Sequence, residues 1–174
     1  SDHESGTFAQ VTVGSNIDVT PAMTISGTDV SNYTLTQPTL NADITAKELT
    51  VINGVVADKV YDGTADAVIS GAQLDGVVTG DDVTLADHES GTFAQTGAGT
   101  GIAVTTAMTI SGADTSNYTL SQPLLSADII KKGLTITANN KTKTYGESDP
   151  VFTVSYSGFI SGEDKWSLYI NLDI

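Results

Sequence analysis

The chain is 174 residues long, with 21 acidic side chains against 7 basic ones and a net charge of −14. The basic residues are all Lys, and there is neither Arg nor Cys. So acidic a chain is expected to repel nucleic acid and anionic membranes, the lack of Arg removes the usual bidentate clamp for phosphate or carboxylate substrates, and the lack of Cys excludes disulfides, zinc–thiolate sites and thiol catalysis.

No apolar run approaches the ~18 residues of a membrane span, and no basic stretch followed by an apolar one reads as a signal peptide. Val, Ile and Thr dominate the apolar runs, while Gly, Ser, Thr, Asn and Asp are abundant. That profile predicts short strands joined by turns.

Residues 1–46 open with Asp2-His3-Glu4-Ser5-Gly6-Thr7-Phe8-Ala9-Gln10, and the same nine residues return as Asp87 to Gln95. Ser31-Asn32-Tyr33-Thr34-Leu35 returns as Ser116 to Leu120, and Ala42-Asp43-Ile44 as Ala127 to Ile129, always at the offset that carries Asp2 to Asp87. So long a period implies tandem, domain-sized modules. From Lys47 a whole unit follows. Leu49-Thr50-Val51-Ile52 predicts its first strand, and Lys59-Val60-Tyr61 precedes the turn signal Asp62-Gly63. Ala67-Val68-Ile69, Val83-Thr84-Leu85 and Thr92-Phe93-Ala94 predict further short strands. Ile102, Val104, Thr106, Met108 and Ile110 alternate, which predicts one long half-buried strand. Tyr118-Thr119-Leu120 and Leu125 to Ile130 close the unit. About seven strands in about 85 residues is the rhythm of a β-sandwich.

From Leu134 a third unit begins. Leu134-Thr135-Ile136 echoes Leu49-Thr50-Val51, and Tyr145-Gly146 falls near the place of Tyr61-Asp62-Gly63. The expected organisation is half a module over 1–46, a whole one over 47–131 and half of another over 132–174. The phase of the repeat places residue 1 inside a module rather than at its natural beginning. The expected fold is all-β, with Ig-like β-sandwich modules of about 85 residues arranged end to end. One module's last strand runs almost directly into the next, so a stiff rod is expected.

At this point the residues resemble a known family. Lys59-Val60-Tyr61-Asp62-Gly63-Thr64, with the later Ser116-Asn117-Tyr118-Thr119-Leu120, looks like the YDG repeat domain of bacterial surface proteins. Leu134-Thr135-Ile136-Thr137-Ala138, Lys143-Thr144-Tyr145-Gly146 and Asp149-Pro150 are similar to the MBG domain of the YGX type. Both occur in long adhesins and haemagglutinin-like proteins. The resemblance implies extracellular repeat architecture: 1–46 as the C-terminal half of a YDG-type repeat, 47–131 as a complete one, and 132–174 as the N-terminal half of an MBG-like repeat. It supplies no catalytic residues.

The candidate sites divide between chemistry and simple structure. Asp2-His3-Glu4-Ser5 and Asp87-His88-Glu89-Ser90 hold the ingredients of a nucleophilic triad, but neighbours on an extended chain point to opposite faces and cannot relay a proton. No catalytic or cofactor-binding residue is expected. Calcium takes six to eight oxygen ligands, and Asp81, Asp82, Asp87, Glu89 and Asp114 are its candidates, with Asp29 in the turn equivalent to Asp114. Solvated acidic turns are the plainer reading. Asn32, Asn117 and Asn140 match glycosylation sequons, although Asn before a strand also tolerates left-handed turn geometry. Tyr33 and Tyr118 are then expected to point inward. Trp166 and Tyr169 form either a sugar-stacking pair or core filling. Lys59 is a candidate donor for an isopeptide cross-link.

The function expected is that of a stalk or fibre-forming segment of a bacterial extracellular or cell-surface protein, not an enzyme. A glycan or host-protein binding module with repeated sites is the alternative. The half-modules cannot bury enough apolar surface alone, so self-association by head-to-tail strand complementation is expected, with no nucleic-acid partner and no membrane insertion.

Overall fold

The computed structural model describes residues 5–167. Among these the chain is all-β, with 3-10 turns at Val30–Asn32, Thr115–Asn117 and Lys165–Ser167 and no α-helix. The strands are β1 (Gly6–Phe8), β2 (Gly14–Pro21), β3 (Leu40–Ile44), β4 (Lys47–Ile52), β5 (Val55–Val56), β6 (Lys59–Val60), β7 (Asp66–Ser70) and β8 (Gln73–Asp75). They continue as β9 (Thr84–Ala86), β10 (Ser90–Phe93), β11 (Gly99–Thr106), β12 (Thr109–Ser111), β13 (Tyr118–Leu120), β14 (Leu125–Ile130), β15 (Thr135–Ala138) and β16 (Val154–Ser157).

The strands gather into two compact units, each drawing on three stretches of chain. The first takes Ser1–Gly54, Gly71–His88 and Ala107–Pro123. It holds an antiparallel β1-β2-β3 sheet, a β13-β4-β8 sheet and a β12-β9 ribbon. Within the second sheet β4 runs parallel to β13 and antiparallel to β8. Ile17, Leu49, Met108 and Tyr118 are the buried apolar side chains of this unit. The second unit takes Val55–Ser70, Glu89–Thr106 and Leu124–Ile174. Its six-stranded sheet runs β5-β7-β10-β11-β14-β6, with a parallel pair only at β14-β6, and β15 and β16 form a separate antiparallel ribbon.

Burial in the large sheet follows the two-residue period of a strand with one face packed. In β7, Ala67 and Ile69 are buried between exposed Asp66, Val68 and Ser70. Ile102 and Val104 in β11, and Ala127 and Ile129 in β14, repeat the pattern. This one-sided packing is that of a β-sandwich-like fold.

The sequence repeat is a structural repeat with the same register. β1 pairs with β2 from Gly6↔Pro21, and β10 with β11 from Gly91↔Thr106. β2 pairs with β3 from Gly14↔Ile44, and β11 with β14 from Gly99↔Ile129, with an irregularity at Gly14/Ile17 in one and Gly99/Ile102 in the other. The 3-10 turns at Val30–Asn32 and Thr115–Asn117 are also equivalent.

Three expectations are corrected. The long strand through Ile110 is two strands, because the Gln122 side chain takes the backbone of Met108: its Oε1 accepts from Met108 N–H (3.1 Å) and its Nε2 donates to Met108 C=O (2.8 Å). Gln37 does the same for Met23. Inward alternation nevertheless survives the break, with Met108 buried and Ile110 half-buried. Asn32 and Asn117 are not left-handed, since positive φ among non-Gly residues falls on Asn16, Asn53 and Asp87. Tyr33 is not a core aromatic. The residue is 70% exposed against 7% for Tyr118.

Candidate functional site

The acidic residues are hydrogen-bond acceptors of the turns. Asp82 N–H donates to Asp114 Oδ2 (2.8 Å), Ala113 N–H donates to Asp82 Oδ2 (3.2 Å), and Asp114 N–H donates to Asp82 C=O (3.2 Å). This clasp lies so close to Gly112 (φ +128°) that a Cβ there would overlap the Asp82 carbonyl oxygen. Only glycine fits. Asp81 Oδ2 accepts from the Tyr118 phenol (2.5 Å), whose oxygen in turn accepts from Val78 N–H (3.1 Å). Asp87 Oδ2 accepts from Thr109 Oγ1 (2.6 Å), and Glu89 is exposed. No group of three or more acidic, His or Cys side chains suited to a metal occurs among the described residues. Asp2, His3 and Glu4 lie outside them, as does Tyr169. His88 is half-buried and follows Asp87, whose φ is +53°.

The Tyr-Asp-Gly turn is a braced projection. Lys59 Nζ lies 2.8 Å from Asp62 Oδ1 and also donates to Thr64 Oγ1 (2.8 Å) and to the carbonyls of Thr64 and Asp66 (both 3.2 Å). Asp62 Oδ1 further accepts from Thr64 N–H and Oγ1 (both 2.9 Å). The Lys59 ammonium and these donors hold the Asp62 carboxyl down to about 2. Gly63, at φ +83°, completes the turn. Tyr61, just before it, donates its phenol to Glu163, a contact that pushes the phenol above its ordinary 10.0. Tyr118 is raised likewise by its bond to Asp81 and by burial. Among the described residues, the hydrogen-bond partners of Lys59 include no Asn.

The sequence did not mark one surface feature, an apolar face on the first copy. Phe8 is 39% exposed where Phe93 is 2%. Ile25, Leu35 and Leu40 are exposed, whereas Ile110, Leu120 and Leu125 are half-buried. The two copies differ here in strand pairing. β12 and β13 exist because β9 and β4 pair with them, and the equivalent residues 24–26 and 33–35 form no strand. On the third segment, Tyr145, Val151, Phe152 and Trp166 are exposed, with Lys165 Nζ 4.6 Å from the Trp166 ring centre. Asn117 Oδ1 accepts from Val13 N–H (3.0 Å), while Asn32 and Asn140 are exposed.

The model of the YDG domain matches residues 45–124, from just before β4 to just past β13, and that of the MBG domain (YGX type) matches residues 134–172. No curated protein and no solved structure matches the chain. The chain thus carries a YDG domain followed by an MBG domain of the YGX type.

Proposed function

We propose that the chain is a structural segment of a bacterial extracellular or cell-surface protein, serving as stalk or fibre. Its modules are Ig-like sandwiches of one repeat period set end to end, with the C-terminal half of one over 1–46, a whole one over 47–131 and the N-terminal half of another over 132–174. The observation that carries this reading is the duplicated ladder, the same register on β1-β2-β3 and β10-β11-β14, followed by a domain of a second repeat type. Copying a whole ladder lengthens a protein. A compact chain of this length has a radius of gyration of about 16 Å. Small-angle scattering should give a clearly larger value, and a value matching the compact chain would sink the stalk. Antibody against the chain should label intact cells of the source bacterium; label that appears only after lysis would sink the surface location.

Half-modules of neighbouring copies associate head to tail in this reading, with the C-terminal segment of one covering the first-copy face of the next. The exposure of Phe8, Tyr33 and Leu40 on one side, and of Val151 and Phe152 on the other, supports it. Binding of a glycan or host surface is favoured by one feature, the exposed indole of Trp166. A glycan array probed with the native chain and with Trp166→Ala separates that reading from a stalk.

A further inference from the structure

Two places in the chain bring the end of one module against the next, each inside a single compact unit. At the first, Thr12, Val13 and Lys47 line a groove with Asp81, Asn117 and Tyr118. Val13 N–H donates to Asn117 Oδ1 there (3.0 Å). At the second, Gly97, Ala98 and Lys132 line a groove with Phe159 and Glu163 of the MBG segment. Tyr61 donates to Glu163 there, and a Cβ on Gly63 would sit 2.6 Å from Ile160 Cδ1.

Moved along by one repeat, Thr12, Val13 and Lys47 become Gly97, Ala98 and Lys132. The two grooves therefore use the same surface of the preceding module. On the far side, Asp81 follows the opening Leu49 by nearly the same length of chain as Glu163 follows Leu134. One groove holds an Asn contact and the other a Tyr contact, at different points of one docking surface.

We infer that a complete junction between YDG modules carries both contacts. The Tyr-Asp-Gly turn of one module gives its phenol to a carboxylate in the next module's loop. The Asn of that next module's Ser-Asn-Tyr-Thr-Leu accepts a backbone N–H from the loop before the β11-type strand. The partner surface is thus a following module that offers an acidic loop and an Asn. Two separated, directional bonds remove both swivel and tilt, which a single bond leaves free. The motif is a lock between modules: Lys59, Asp62 and Thr64 brace the turn so that Tyr61 is held toward Glu163, and Gly63 leaves room for Ile160. This inference deepens the stalk reading and rests on it for its purpose, although its geometry stands apart.

The chain has no Cys, so paired labels can be placed cleanly. Spin labels on Ser70→Cys and Thr137→Cys, both exposed, report the second junction in the full chain, and labels on Thr20→Cys and Thr50→Cys report the first. The native chain should give one narrow distance distribution from each pair. Tyr61→Phe and Glu163→Ala should each broaden the second at least twofold, Glu163→Gln should leave it narrow because the amide oxygen still accepts, and Asn117→Ala should broaden the first. Unchanged widths in Tyr61→Phe and Glu163→Ala, or broad distributions in the native chain, would overturn the lock. The widths bear on the junction alone, whereas the stalk falls on scattering and surface labelling, so either can fail without the other.

Discussion

Each duplicated residue is an internal control, the same side chain in the same strand with and without its cover. Phe93 is enclosed and Phe8 is not. Removing a buried Phe costs about 3–5 kcal/mol, while surface changes stay within about 0.5 kcal/mol. Urea denaturation of Phe93→Ala should show a loss in that range, and Phe8→Ala should lose about 1 kcal/mol at most. Equal losses would mean that the first-copy face is covered in solution. Titration reads the same scale. Asp62 sits at about 2 in the folded chain against an ordinary 3.8, so its stabilising share is complete above the ordinary value and is lost as pH falls through about 2. Thermal scans should show Asp62→Asn flattening the loss between those values. Tyr61 and Tyr118 are shifted the other way for groups that are neutral when protonated. Their share is complete below pH 10.0 and is lost as pH rises through their raised values. In Tyr61→Phe/Tyr118→Phe, alkaline unfolding should begin no earlier than in the native chain relative to its own midpoint at neutral pH, and the late part of the phenolate absorbance rise should vanish.

Among elements, the repeat and the alternation were legible in the sequence, and pairing partners were not. Val, Ile and Thr runs located β4, β7, β9, β10 and β14, and the copying at a constant offset foretold the common ladder. Short strands such as β5 and β8 lack a run long enough to show a period. The break after Thr106 was invisible because period-two alternation passes unbroken across it, while the residue that causes the break, Gln122, lies far along the chain. Tyr33 is exposed for a related reason: local pattern says which way a side chain leans, and a partner strand decides whether anything is there to meet it. Gln122→Ala removes both bonds to the Met108 backbone and should lower stability by about 1–3 kcal/mol, and Gln37→Ala, at an exposed site, by less. Hydrogen exchange should find the amides of residues 109–111 and 119–120 protected and those of 25–26 and 34–35 faster. Comparable protection in both copies would refute this difference in pairing. The acidic candidates were legible as residues of turns, but their hydrogen bonds depend on which loops meet, as Asp82 and Asp114 do.

For the whole molecule, the net charge of −14 sets the terms of self-association. Like charge opposes contact between copies, and salt screens it over a Debye length of about 10 Å at 0.1 M. Head-to-tail docking through apolar faces should therefore strengthen with salt. Light scattering on the eluting chain should show the weight-average mass rising with protein concentration, and rising further when salt goes from about 20 mM to about 300 mM. A concentration-independent monomer at both salts would rule the docking out.

The parallel pair just past the YDG match has a mechanical consequence. β14 lies alongside β6 with Ile129↔Lys59 and Ile130↔Val60 in register, and Tyr61 N–H adds a bond to Ile130 C=O (2.8 Å). Tension on a tandem chain pulls β14 forward and β6 backward. In a parallel pair that pull runs along the strands and strains every bond at once, whereas peeling an antiparallel hairpin from its open end breaks them singly. With no disulfide to arrest extension, a pulled YDG repeat would meet bonds sheared together at this short seam and at the other parallel pair, β13-β4, rather than peeled singly.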